Sequence, residues 1–220
     1  MSFDAILWDM DGTLVDTERV VWDVMQTAFD EVLGFRMDEK LFENLLGQSE
    51  RDFFKTVGKK LKLNDKQVEQ VRELFHSDYV PALAKIPPLP GAVEAVRASH
   101  ARGKIALVTG STMRQALAVL EALGLKPLFQ HIISCDVYDK GKPHPEPYRK
   151  AAKKLGANPE KCLAIEDSPA GIASAKAAGM KVVAVREGNK GKADISDAHM
   201  EISTLLEFDI DQIAKALGVA

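Results

Sequence analysis

The chain has 220 residues, 46% of them hydrophobic and 28% charged, with 29 Lys and Arg against 32 Asp and Glu for a formal net charge of −3. That length supports one large domain or two modest ones around a sizeable core. The slightly acidic balance, with basic residues dispersed along the chain, excludes a general affinity for nucleic acid or anionic membrane, and no apolar run approaches a membrane span.

The first element is a short apolar run, DAILWD (4–9), which reads as a strand. It leads into WDMDGTLVDT (8–17), a turn-prone segment carrying Asp9, Asp11 and Asp16. From 17 to 83 no strand candidate occurs. Helical patterns span 18–33, 38–46, 49–63 and 64–84, with Asp38, Ser49 and Asn64 as candidate N-caps. Ser49 with Asp52, and Asn64 with Gln67, have the spacing of a capping box. KIPPLPG (85–91) reads as a stiff return linker.

After the linker, strands and helices alternate. KIALVTG (104–110), HIISC (131–135), CLAIED (162–167) and KVVAVR (181–186) are continuous apolar runs, the pattern of strands buried on both faces of a parallel sheet; HMEIS at 199 is weaker. Between them lie capped helices. One starts on Ser111 or Thr112 and stops at Gly124, and one ends at Gly156. A third has Ser168 as N-cap, Pro169 at its first position and Gly179 as terminator. The expected fold is α/β, a doubly wound parallel sheet formed by 1–16 and 86–220, with a helical bundle inserted as 17–85.

Open α/β sheets bind ligands at the carboxyl ends of their strands. Those ends here carry Asp9-Met10-Asp11-Gly12-Thr13, Thr109-Gly110-Ser111, the loop KGKPHP (140–145) and Glu166-Asp167-Ser168. Four carboxylates in one crevice repel one another, and a hard cation such as Mg²⁺ relieves that repulsion with oxygen ligands. A lysine, a hydroxyl and the N–H groups of a helix N-terminus favour an anion, for which phosphate is the natural occupant. One carboxylate is then free to attack phosphorus and another to move a proton.

DMDGTLVD, Thr109 after its strand, GKP at 141–143 and IEDSPAGIASAKAAGM resemble, in order, the four motifs of the haloacid dehalogenase-like hydrolase superfamily. The helical insert after the first motif resembles the subfamily with a small cap. The resemblance implies that Asp9 is the nucleophile, forming an aspartyl-phosphate, and that Asp11 is the general acid/base. It implies that Thr109 and the Gly110 amide hold phosphate oxygens, and that Lys142 pairs with both phosphate and nucleophile. It places Mg²⁺ on Asp9, the Asp11 carbonyl and Asp167, with Glu166 acting mostly through water. The cap stretch LLGQSERDF makes Gly47 and Arg51 candidate substrate contacts.

The same resemblance sorts the reactions. Asp11 favours phosphate esters, because the dehalogenating and phosphonate-cleaving branches lack this second aspartate. The β-phosphoglucomutase branch keeps both aspartates but carries a histidine in the first cap helix, where this chain has Val20, Val21 and Trp22. The expectation is a Mg²⁺-dependent phosphatase of a small phosphorylated metabolite, with a phosphomutase as the alternative. A receiver-like signalling module fits less well, since its phosphorylated aspartate ends the third strand. Cys135 and Cys162 stand outside any CxxC pattern and read as buried free thiols of a reducing compartment. With no basic n-region in MSFDAILWD, a cytoplasmic enzyme is expected, as a monomer or weak dimer, without nucleic-acid or membrane partners.

Overall fold

The computed structural model describes residues 3–43, 50–189, 191 and 193–219. The first apolar run forms β1 (Ala5–Trp8), with all four residues buried. It lies third in a six-stranded sheet of order β3 (His131–Ile133), β2 (Lys104–Val108), β1, β4 (Cys162–Glu166), β5 (Lys181–Val185), β6 (Met200–Ile202). Every neighbouring pair is parallel. The apolar runs have this outcome because helices cover both faces, so neither face of a central strand meets water. The chain steps from β1 outward to β2 and β3, then returns to lay β4 on the other side of β1. That reversal opens a crevice at the carboxyl ends of β2, β1 and β4.

Register decides what meets there. Trp8 sits opposite both Leu107 and Ile165, which brings the residues just beyond them to one level. One face of the sheet packs Ala5, Leu7, Ala106, Val108, Ala164, Val182 and Ala184 against α7 (Glu146–Leu155) and α8 (Pro169–Ala177), through Tyr148, Ala151, Leu155, Ile172 and Ala175. The many alanines let helix and strand backbones approach closely. On the other face the Trp8 ring lies 5.3 Å from that of Phe208.

The remaining helices flanking this sheet are α5 (Ala92–Arg102), α6 (Met113–Ala122), α9 (Arg186–Asn189) and α10 (Ile210–Ala216). Thr112, not Ser111, caps α6, in a capping box with Gln115. Ser168 caps α8 by accepting from the Gly171 N–H. The return linker is no free spacer: the Leu89 N–H donates to the Leu14 carbonyl at 2.8 Å, and Pro88 bridges Val15. Both cysteines are free, but only Cys162 is buried; Cys135 is partly exposed.

The chain divides into two compact units, Met1–Thr17 with Ala84–Ala220, and Glu18–Leu83. The second contains α1 (Thr17–Leu33, from its second residue), α2 (Glu39–Glu43), α3 (Glu50–Leu61) and α4 (Asp65–Leu83). Asp38 caps α2 through the Leu41 N–H, and Asn64 with Gln67 closes the expected capping box on α4. Ser49 lies outside the described residues. The core of this unit is aromatic: Trp22 packs on Phe42, Phe42 on Phe53, Phe54 on Phe75, and Phe75 stacks on Tyr79 at 5.0 Å. No helix among the described residues is long and apolar enough to cross a membrane.

Candidate active site

Asp9 follows the last residue of β1 and is only 4% exposed. Its backbone N–H is tied to the Ile165 carbonyl at 3.0 Å, so strand pairing holds the carboxylate at the mouth of the crevice. Lys142, from the loop before α7, reaches it across 133 positions of sequence: Nζ lies 2.5 Å from Asp9 Oδ1 and 2.7 Å from Glu166 Oε1, and donates to the Val108 carbonyl at 3.0 Å. Burial alone would pull this ammonium down, but Asp9 and Glu166 beside it hold it above the ordinary lysine range. Lys140, the other lysine of the loop, is exposed, with its N–H on Glu146.

Glu166, the last residue of β4, is fully buried. Oε1 also accepts from the Tyr148 hydroxyl at 2.7 Å, and Oε2 accepts from Ser168 Oγ at 3.1 Å and the Asp167 N–H at 3.2 Å. Both of its oxygens therefore have protein donors.

Asp11 is partly exposed, and its carboxylate accepts from Thr109 Oγ1 at 2.8 Å and Ser111 Oγ at 3.0 Å. Ser111 is available for this because Thr112 takes the capping position. Thr109 is itself buried at the end of β2, with its N–H on Ile133 and its carbonyl accepting from the Tyr138 hydroxyl at 3.0 Å. Gly110 follows it, exposed, with open space where a Cβ would stand. Gly47 lies outside the described residues, and of Arg51 only the backbone, within α3, is described.

Asp167 completes the cluster. One carboxylate oxygen each from Asp9, Glu166 and Asp167 lie within 4.8 Å of one another. Burial pushes the Asp9 carboxyl well up, a push that Lys142 opposes and Glu166, Asp167 and Asp11 reinforce. Burial, then Glu166, push Asp167 up to about 7. Three crowded carboxylates facing one ammonium hold excess negative charge, and the donor set is all oxygen. Such residues fit a hard divalent cation, whose charge would reverse both upward shifts.

Two close approaches frame the cluster. Gly12 has φ +83°, and a Cβ there would stand 2.1 Å from Asp167 Oδ2. A Cβ on Gly188, in α9 after β5, would fall 1.4 Å from the Gly12 carbonyl oxygen. Sequence reasoning missed Gly188. The available signal was its place: β5 also ends at the crevice rim, and Arg186-Glu187-Gly188 follows directly.

The pattern of the haloacid dehalogenase-like hydrolases matches residues 3–179. The chain is 31% identical, over 196 residues, to the phosphorylated carbohydrates phosphatase of Thermotoga maritima, covering 86% of this chain and 89% of that protein. Among solved structures, a HAD-family hydrolase from Deinococcus radiodurans with bound phosphate and sodium is 27% identical with a TM-score of 0.78, covering 99% and 97% of the two chains. A β-phosphoglucomutase from Clostridium difficile is 25% identical with a TM-score of 0.77, covering 98% and 97%. A parallel sheet with carboxylates at its switch point, together with this match over most of its length, makes the chain a member of the haloacid dehalogenase-like hydrolase family.

Proposed function

We propose that the protein is a Mg²⁺-dependent phosphatase that hydrolyses the phosphate monoester of a small metabolite through an aspartyl-phosphate on Asp9. The observation that carries this reading is the buried Asp9 carboxylate, held at 2.5 Å by Lys142 where the strand order reverses. Lys142 engages Oδ1, which leaves Oδ2 to attack phosphorus. The ester P–O bond breaks as the new P–O bond forms, and Asp11 gives its proton to the departing oxygen. Asp11, now ionised, takes a proton from water as that water attacks the phosphorus, which frees Asp9 and inorganic phosphate.

Thr109, the Gly110 amide and Lys142 are assigned to the phosphoryl oxygens, where fixed donors stabilise the charge that develops in the transition state. Thr109 and Ser111 hold Asp11 at the site until substrate arrives. Mg²⁺, held by Asp9, Asp167 and the Asp11 carbonyl with Glu166 in reach, would supply charge neutralisation to the transferring group. Glu166 has Lys142 as its chief partner in this reading. The substrate is assigned by class alone, a small phosphorylated metabolite, in keeping with the relative named for phosphorylated carbohydrates.

A phosphomutase is the second reading, favoured by the likeness to the Clostridium difficile enzyme. Against it stands the first helix of the helical unit, which has Val20, Val21 and Trp22 where that branch carries a histidine; the Trp22 ring is spent on Phe42 at 4.9 Å. Incubation with a panel of phosphorylated metabolites, with and without Mg²⁺, separates the two: a phosphatase releases inorganic phosphate, whereas a mutase isomerises a sugar phosphate when given a bisphosphate. Asp9→Asn should abolish turnover on every ester. Wild-type turnover in that variant would sink the mechanism.

A further inference from the structure

Tyr148 is fully buried on the first turn of α7, six positions after Lys142. Packing against the sheet needs only its ring, which phenylalanine would provide, and a buried hydroxyl is a cost unless it is bonded. This hydroxyl donates to Glu166 Oε1 at 2.7 Å, the same oxygen that pairs with Lys142 Nζ at 2.7 Å. The ring flanks that ammonium as well, with Nζ 5.5 Å from its centroid. Tyr148, Glu166, Lys142 and Asp9 thus form one continuous chain of contacts, in which each member restricts the next.

Lysine is a flexible point charge on four methylenes, and its own stem does not aim it. We propose that Tyr148 is a positioning residue for Lys142: its hydroxyl fixes the Glu166 carboxylate and its ring walls one side of the ammonium. The ammonium is thereby directed at Asp9 and at the phosphoryl group that Asp9 receives. This inference rests on the phosphatase reading and extends it to a residue outside the four motifs.

The test compares para-nitrophenyl phosphate hydrolysis in Mg²⁺ by wild type, Y148F, E166Q and the double variant, with thermal unfolding of each. Y148F should keep its fold and its KM and lose kcat by about tenfold, the size of a lost hydrogen bond to a charged group. On top of E166Q it should cost nothing more, because the hydroxyl acts through that carboxylate. Unchanged kcat in Y148F, or a loss repeated in full in the E166Q background, overturns the proposal. A second measurement needs no Y148F protein: of the three tyrosines, labelled as 3-fluorotyrosine, the Tyr148 fluorine resonance should move most on E166Q. A resonance that stays put also overturns it. A wild type inactive on every ester sinks the phosphatase reading itself, whereas an active wild type with an unimpaired Y148F sinks only this inference.

Discussion

Replacing Gly171 with alanine adds one methyl group inside α8, a change that ordinarily stabilises a helix by about 1 kcal/mol. Here the new Cβ would stand 1.9 Å from Glu166 Cδ and Oε1 and 2.0 Å from Oε2. The carboxylate has nowhere to go without loss. Lys142 and Tyr148 hold one oxygen at 2.7 Å each, and Ser168 holds the other at 3.1 Å. Overpacking costs about 1–3 kcal/mol, and one forfeited charge-assisted bond adds about 1.5–3 kcal/mol. After the helix gain is subtracted, G171A should destabilise the sheet-bearing unit by about 1.5–5 kcal/mol. The two tryptophans allow a clean assay, since Trp8 lies in that unit and Trp22 in the helical one. Urea unfolding followed by Trp8 fluorescence in a W22F background should show a lower midpoint with an unchanged slope. Turnover should fall too, because a displaced Glu166 takes Lys142 with it. A midpoint at or above that of the parent would refute the reasoning.

Asp11→Asn should lower kcat/KM, which reports the ester-cleaving step, by about 10²–10⁴ on an alkyl phosphate, and by less on para-nitrophenyl phosphate, whose leaving group needs no proton; equal losses of kcat/KM on both would remove the acid role. Mg²⁺ at about 100 times its Kd should add about 2.7 kcal/mol of stability, reversible with EDTA. Asp167→Asn should remove most of that gain in calorimetry. Gly188→Ala should cost most of the activity by forcing its Cβ onto the Gly12 carbonyl, and full turnover there would show that α9 yields. His199 accepts the Val182 N–H on Nδ1, and burial, then Lys181 and Lys176, hold its pKa below 6.5. The unfolded chain therefore takes up that proton first as pH falls. The His199 contribution is complete above 6.5 and is lost as pH drops through the lowered folded value. Denaturation across that window should show the slope in wild type and a flatter one in His199→Asn.

The local grammar of the chain was readable without coordinates. Continuous apolar runs announced β1, β2, β4 and β5, because burial on both faces leaves no room for alternation. The caps at Asp38, Asn64 and Ser168 were readable because a cap is a bond between residues three apart. Where two candidates stood side by side, as at Ser111 and Thr112, the sequence could not choose. The loser of that choice, Ser111, turned out to hold Asp11.

What the sequence determined by itself is a set of chemistries at strand ends: Asp9 and Asp11, Thr109, Glu166 and Asp167 are each placed by short-range pattern, and the choice of Lys142 within its loop came from the family resemblance of GKP. What only the tertiary structure decided is who faces whom. The order of strands put β4 beside β1, register brought Asp9 level with Glu166, and α7 delivered Tyr148 to the oxygen that Lys142 also uses. The same structure pressed Gly188 against Gly12 and left Cys135 partly open. The physical reason is range. Backbone preference and periodicity act over a few residues, whereas the bond from Lys142 to Asp9 spans 133 and exists only once the sheet has closed the distance.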